Sequence, residues 1–393
     1  MQFHRDNREK GARKTRVVIA GIGGGGCNIL SSLAKRWPSG PELFGIHTDA
    51  SVLASSPGLK PVQIGEALLQ GLSTGGKSDM GRRAAERDRN DISAVFRGAD
   101  LALLVTGLGG GTGTGAAPVI AEAAEAAGAL VLCFVMLPFD FEGPHRLEQA
   151  LQGLRELRNV TDAVIQFPNQ RVLEHADESL NVTDAFQVSD RLAGDCIRSL
   201  WELFNRNSLI RLDFADFRAF LMNSEGSCAM ACVESEGPAR VKDAVAKLLA
   251  APQFENGAQI RRTSALLVGA TGGPDLKLVE LQTLLEEIRE ITREQTRILM
   301  GTAVDSDYQG KLSLSVLLAE ERLAAEAAEQ APAAEAKPEP EKVSGRKRKM
   351  ATQTTLDLDA RGSGRFENVP PTVYQGANLD IPTYVRRGIK LAR

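Results

Sequence analysis

The chain has 393 residues and a net charge of −3, with 25% charged and 43% hydrophobic side chains. That length accommodates two domains plus tails, and the charge gives no reason to expect the whole chain to bind nucleic acid. The five cysteines (Cys27, Cys133, Cys196, Cys228, Cys232) contain no C-x-x-C and the four histidines no zinc spacing. Reduced thiols in a cytoplasmic protein are therefore expected. Met1 to Arg16 is polar and lacks the apolar centre of a signal peptide, so residues 1–15 read as a disordered extension. The longest apolar run, Ala129 to Pro138, is too short to span a bilayer.

Val17-Val18-Ile19-Ala20 reads as a short buried strand. It is followed by Gly21-Ile22-Gly23-Gly24-Gly25-Gly26-Cys27-Asn28 and a helical run from Ile29 to Trp37. The cluster satisfies G-x-G-x-x-G, and Asp49, past the next strand (Leu43 to Ile46), stands where an NAD enzyme would hold a ribose. Taken alone, this loop leaves NAD, FAD and other nucleotides equally open. A second glycine run, Gly107-Leu108-Gly109-Gly110-Gly111-Thr112-Gly113-Thr114-Gly115-Ala116-Ala117, joins the apolar stretch Leu101 to Val105 to a helical one from Ala116 to Ala127. Backbone N–H groups in such a turn crowd around an anion with a helix N-terminus behind them, and Thr112 and Thr114 add hydroxyls. Two such loops at neighbouring strand ends suit one nucleotide with a long phosphate tail. An NAD-dependent oxidoreductase, which rests on the first loop alone, is the remote alternative.

Strands near Arg16, Leu43, Leu101, Leu130 and Val164 alternate with helices, including an amphipathic one from His145 to Arg158. This pattern predicts an α/β domain with a doubly wound parallel sheet over residues 16–182. A long central helix from Thr183 to Asn205, in a segment 183–212, carries Phe186, Leu192, Leu200, Trp201 and Phe204 as core for two domains. A second, α+β domain over 213–320 has strands at Ser227–Val233, Ala265–Ala270, Arg297–Val304 and Leu312–Leu318. Cys228 and Cys232 fall in the first of these and are expected to pack in the core. The alternation Leu312-Ser313-Leu314-Ser315-Val316 predicts a sheet covered on one face. Asp213 and Asp216, three residues apart at a helix start, share one face; such acids ordinarily cap, and they also suit holding a water or cation.

From Arg322 the composition shifts to Ala, Glu and Pro, so 321–365 reads as a disordered linker; its basic cluster Arg346–Lys349 reads as a solvated charge run. Residues 366–393 form a tail in which Leu379, Ile381, Tyr384 and Val385 sit amid charge, as in a short segment that folds on a partner.

The Gly107–Ala117 run resembles the signature loop of the tubulin/FtsZ superfamily, and the order of motifs from Thr15 to Glu320 resembles bacterial FtsZ. His47-Thr48-Asp49-Ala50 looks like the family's second nucleotide loop, and Phe139 to Arg146 like its ribose-contacting segment. The resemblance implies GTP/GDP as ligand, with Mg2+ bridging its phosphates and no side chain predicted as a metal ligand. The nucleotide contacts it implies are Gly24, Gly25, Gly26, Cys27 and Asn28; Asp49; Gly110, Gly111, Thr112, Gly113, Thr114 and Gly115; and Glu142 and Arg146 at the ribose. Phe186 would stack on the base, with Asn169 and Asp190 reading it. A carboxylate accepts from both the ring N–H and the exocyclic amine of guanine, a donor pair adenine lacks.

The resemblance further implies head-to-tail homopolymers for cell division, with Asp213 and Asp216 acting as catalytic groups on the neighbouring subunit's nucleotide. Asp380–Arg387 would dock membrane adaptors or regulators at the division site, giving only indirect membrane contact and no specific nucleic-acid partner. Three positions depart from the family pattern. Arg211 replaces an asparagine and can act in two ways: as an arginine finger that neutralises developing phosphate charge, or by pairing with Asp213 or Asp216 and slowing turnover. The second is favoured because the acids are its nearest partners in sequence, and it leaves a structural GTP-binding filament as the alternative. His47 stands where asparagine is common. Lys77-Ser78-Asp79-Met80 replaces a more usual Asn-Pro-Glu stretch, so the third loop is expected to grip phosphates differently.

Overall fold

The computed structural model describes residues 15–174, 181–222 and 227–319, together with the pairs 373–374 and 377–378. Residues 1–14, the expected linker with Arg346–Lys349, and the docking segment Asp380–Arg387 lie outside the described residues. The chain begins β1 (Val17–Ile22), α1 (Gly23–Arg36), β2 (Leu43–His47), α2 (Ala50–Ala54), β3 (Leu59–Gln63), α3 (Glu66–Leu69), α4 (Ser78–Arg87) and α5 (Arg89–Phe96). Next come β4 (Leu101–Gly107), α6 (Gly111–Ala126), β5 (Leu130–Leu137), α7 (Pro144–Val160), β6 (Ala163–Pro168), α8 (Asn169–Glu174) and α9 (Val182–Asn205). The remainder is α10 (Phe214–Met222), β7 (Ser227–Glu236), α11 (Arg240–Leu249), α12 (Ala258–Arg262), β8 (Ala265–Gly272), α13 (Leu278–Ile291), β9 (Arg297–Val304) and β10 (Lys311–Ala319). From Ala333 onward, a separate unit is described only at β11 (Val373–Tyr374) and β12 (Ala377–Asn378), an antiparallel pair.

One ten-stranded sheet runs β3-β2-β1-β4-β5-β6-β7-β10-β8-β9. Its first six strands are all parallel, in the order 3-2-1-4-5-6 of a doubly wound sheet. That order reverses between β1 and β4, and ligands of such sheets bind in the crevice beyond the strand ends at the reversal. Sequence reading missed β3, where Pro61 interrupts a short and partly exposed strand. Proline removes a ladder donor and is tolerated here because β3 is the edge. The two halves of the sheet join by a short parallel seam, Val164 to Ser227 and Ile165 to Cys228, whereas β10 pairs with β7 over nine positions.

Alternation along the central strands divides the core. Ile19, Leu103, Phe134 and Ile165 face α1 and α9, while Ala20, Leu104, Cys133 and Val164 belong to the opposite layer with the alanines of α6. α9 begins at Val182, one residue before the expected start, with the Asn181 side chain accepting from Asp184 N–H as an N-cap. Its Leu200 and Leu203 share one cluster with Leu103 of the first half and Leu267 and Leu317 of the second. The expected one-faced covering of β10 is not found. Ser313 and Ser315 are about as buried as the neighbouring Leu312 and Leu314, because α9 covers their face; Ser199 Oγ bonds Ser315 Oγ at 2.7 Å. Small polar residues stand there because two serine hydroxyls satisfy each other under a closely packed helix.

Both glycine runs are more helical than the sequence predicts. Gly23 to Gly26 form the first turn of α1, and Gly111 to Gly115 open α6. Backbone crowding accounts for their lack of side chains. A Cβ on Gly26 would lie 2.1 Å from Val105 O, one on Gly115 1.9 Å from Ser78 O, and one on Gly23 2.7 Å from Gly113 N. Overpacking of this kind costs roughly 1–3 kcal/mol. Gly26→Ala is therefore expected to lose about that much stability in urea unfolding, whereas Gly110→Ala, with no atom within 4 Å of its Cβ position, changes it by less than about 0.5 kcal/mol.

Candidate functional site

The convergence of α1 and α6 leaves a cleft of about 370 Å³ at the carboxyl ends of β1, β4 and β5. Its phosphate-sized end is walled by Gly24 and Gly25 of α1, by Gly109 to Gly113, and by Ser73, Thr74 and Gly76 before α4. The first amides of a helix have no intrahelical acceptor, so two sets of unpaired donors point into one space. Side chains lock these loops to one another. Thr48 Oγ1 bonds Thr112 Oγ1 at 3.0 Å, Thr114 Oγ1 accepts from Gly109 N–H, and Gln149 Nε2 donates to both Gly76 O and Gly110 O. The cradle is thus held in shape by the protein itself, which lowers the ordering cost of binding.

The other end suits a base and a sugar. Asn169, the first residue of α8, is buried and accepts from Ser189 Oγ, which leaves its amide hydrogens to donate into the cleft. Phe186, on the first turns of α9, packs edge-on against Phe139 at 4.8 Å and keeps its own face partly open. Asp190, one turn further, lines the same wall, and burial pushes its carboxyl up to about 6. Glu142 and Arg146 line the cleft as well and are paired at 3.2 Å. Glu142 also accepts from Phe139 N–H, closing the turn that delivers α7. A donor amide, a double acceptor and an aromatic face match the edge and plane of guanine.

The structure thus brings Gly24, Gly25, Gly110, Gly111, Thr112, Gly113, Glu142, Arg146, Asn169, Phe186 and Asp190 into one lining. Six other expected contacts lie outside it. Gly26 and Gly115 are where helix meets backbone, and Thr114 braces Gly109. Cys27 is buried, its thiol directed at Gly21 O and pushed up to about 12 by desolvation. Asn28 is exposed on the next turn of α1. Asp49 accepts from Ser51 N–H and caps α2. Sequence reasoning put His47 in the second nucleotide loop without counting it as a contact, and omitted Ser73, Thr74 and Gly76 from the site. The Ser-Thr-Gly-Gly run before a helix was the signal for the last three, the same signal that marks the other loops.

Asp213 and Asp216 are exposed and do not line this cleft. Asp213 Oδ1 accepts from Ala215 N–H at 2.7 Å and caps α10. Asp213 and Arg211 line a separate depression with Thr15 and the 203–208 stretch. Thr15 precedes β1 and Gly24 follows it, so cleft and depression lie at opposite ends of the strands. The expected pairing of Arg211 is not found: among the described residues no ion pair joins it to Asp213 or Asp216. Its neighbours explain the geometry. Ile210 N–H donates to Thr302 Oγ1 and Ile210 O accepts from Thr302 N–H on β9, and Leu212 is buried, which pins the main chain and leaves the Arg211 side chain exposed.

Fold and site together define a nucleotide-binding protein with a doubly wound sheet. Residues 16–177 match the family model for the tubulin/FtsZ family, GTPase domain, and residues 226–320 that for the FtsZ family, C-terminal domain. The chain is 34% identical to cell division protein FtsZ 1 of Archaeoglobus fulgidus over 305 residues, covering 78% of this chain and 82% of that one. It is also 34% identical to cell division protein FtsZ of Pseudomonas aeruginosa over 301 residues, covering 77% and 76%. An empty FtsZ dimer from M. jannaschii superposes with a TM-score of 0.72 at 31% identity, covering 78% of this chain and 88% of that one. CetZ2 of Haloferax volcanii, solved as a protofilament bound to GTPγS, shares the fold with a TM-score of 0.64 at 20% identity over 78% and 94%. The chain belongs to the tubulin/FtsZ family, on its FtsZ branch, and its first half is a GTPase domain that takes a guanine nucleotide.

If Asp190 accepts guanine's two N–H donors it must be ionised, so binding would lower its pKa and release its proton. GDP affinity is therefore expected to fall as the pH drops below about 6, by up to about tenfold per pH unit. The comparison to make is calorimetric titration of the native protein against Asp190→Asn, in which this component of the pH dependence disappears.

Proposed function

We propose that the chain hydrolyses GTP at the junction between subunits stacked head to tail, and that the filaments so formed serve cell division. The observation that carries this reading is the separation of the acids from the cleft. The six residues of β1 span about 20 Å, and α9 runs about 22 Å from Asp190 to Asn205 before the chain reaches Asp213. Within one subunit Asp213 and Asp216 are too far from the phosphates to act. In a stack, the far end of one subunit meets the cleft of the next, and the two carboxylates polarise the attacking water.

In this reading the GTP-binding domain spans 16–182, the assembly domain 213–320, and α9 with its following loop connects them. Ser73, Thr74 and Thr112 offer hydroxyl oxygens at the phosphate end of the cleft, but that end has no carboxylate in its lining. Such a donor set fits a Mg2+ ion carried mainly by phosphate oxygens and water, and the ion would supply charge neutralisation. Arg211, whose main chain is pinned and whose exposed side chain pairs with neither acid among the described residues, adds a cation beside the acids, where it would meet the neighbour's developing phosphate charge. Asp380–Arg387 would dock membrane adaptors or regulators at the division site, the protein itself remaining in the cytoplasm. Among the described residues no helix is long and apolar enough to cross a membrane.

Turnover per subunit is expected to rise steeply above a threshold protein concentration, in step with polymer recovered by sedimentation. Asp213→Ala mixed with Asp190→Ala is expected to regain hydrolysis that neither shows alone, since one supplies the bound nucleotide and the other the acids; inactivity of the mixture would count against action between subunits. Arg211→Asn is expected to lower turnover in the polymer by about tenfold or more, measured at equal pelleted mass.

A further inference from the structure

His47 is the last residue of β2 and only 6% exposed, yet it lines the phosphate end of the cleft. Its Nδ1 accepts from the Asp49 N–H at 2.8 Å. An imidazole whose Nδ1 is an acceptor carries its proton on Nε2. Nε2 faces Gly24 in the first turn of α1, 4.0 Å from where a Cβ would stand, with no other heavy atom within that distance of the Cβ position. Among the described residues Nε2 has no hydrogen-bond partner. A donor of fixed tautomer is thus held beside the free amides of Gly24 and Gly25.

We propose that His47 is a specificity residue of the nucleotide cleft, its Nε2–H donating to the phosphate tail alongside the α1 amides. The inference rests on the reading of this cleft as a guanine nucleotide site and adds a contact that the glycine loops do not provide. Several features bear on the ring. Burial disfavours its charged form, and the Asp49 carboxylate nearby acts in the opposite sense. Arg146 and Glu142 of the facing wall are paired with each other, and Asp190 lines the same cleft. The contact needs no protonation, because the neutral tautomer already presents the hydrogen. Its strength comes from the anionic acceptor, as for other charge-assisted hydrogen bonds.

Two substitutions separate this role from a structural one. In His47→Gln the side-chain amide nitrogen reaches the position of Nε2. In His47→Asn the shorter side chain reproduces only the acceptor at Nδ1 that holds the Asp49 turn. Affinities for guanosine and GDP are compared for the native protein and both variants, by calorimetry or by displacement of a fluorescent GDP. The expected result is that His47→Asn loses about tenfold in GDP affinity, the worth of one hydrogen bond to a charged group. Guanosine affinity is unchanged in that variant, and His47→Gln stays within about twofold of native for both ligands. Retention by Asn with loss by Gln would overturn the proposal and leave His47 as a brace for Asp49. Equal losses for guanosine and GDP would overturn it too. Failure of the native protein to bind either ligand would instead remove the guanine nucleotide reading itself. In the native protein, a change in the His47 Nε2 nitrogen resonance on adding GDP and not guanosine is expected, and its absence argues against the contact.

Discussion

The constraint that shapes the cleft is backbone against backbone. α1 and α6 leave adjacent strands toward opposite faces of the sheet, and their first turns touch at Gly23 and Gly113. Any side chain there would push the two helices apart. Because they meet, the unpaired amides of both point into one cleft, and neither helix alone would surround a phosphate chain. The third loop completes the wall by lying against Gly111, where Thr74 Oγ1 comes within 2.0 Å of the Cβ position. Glycine at these places is a packing requirement first and a ligand requirement second.

α9 turns that local cradle into a property of the whole chain. Its first turns carry Phe186 and Asp190 into the cleft, its middle fills the core of both halves, and its last turn leads to the loop bearing Arg211 and Asp213. A buried ionic pair reinforces the passage: Arg198 donates to the fully buried Glu202 at 2.8 Å, and its guanidinium lies over the rings of Trp37 and Tyr308. The pair draws α1, α9 and the second half together. Breaking one partner of such a pair leaves an unmatched buried charge, which is why its satisfaction matters more than its net strength.

Most of the architecture was legible because its signals are local. Apolar stretches ending in glycine predicted β1 and β4, and alternating strands and helices predicted the parallel sheet. The wall of Asn169, Phe186 and Asp190 was legible only through resemblance, since nothing in the spacing of three residues on two elements tells that they share a cleft. What failed had tertiary causes. β3 was hidden by Pro61, a residue that only an edge position tolerates. Ser313 and Ser315 looked like a solvent face because their partners, Cys232 and Ser199, lie far away in sequence. The glycine runs looked like loops because helix-breaking composition conceals a helix held by its neighbours. Asp213 and Arg211, close in sequence, looked like a pair, but the anchors Ile210 and Leu212 leave them apart.

The seam between β6 and β7 has a mechanical meaning. Rows of hydrogen bonds resist sliding in proportion to their number, and among the described residues this junction has two aligned positions where β10 against β7 has nine. Tension that enters through the first half of the sheet and leaves through the second crosses that seam, with α9 as the main parallel tie. If the seam yields before the shared core around α9 does, a filament of this chain would flex within each of its links as well as between them.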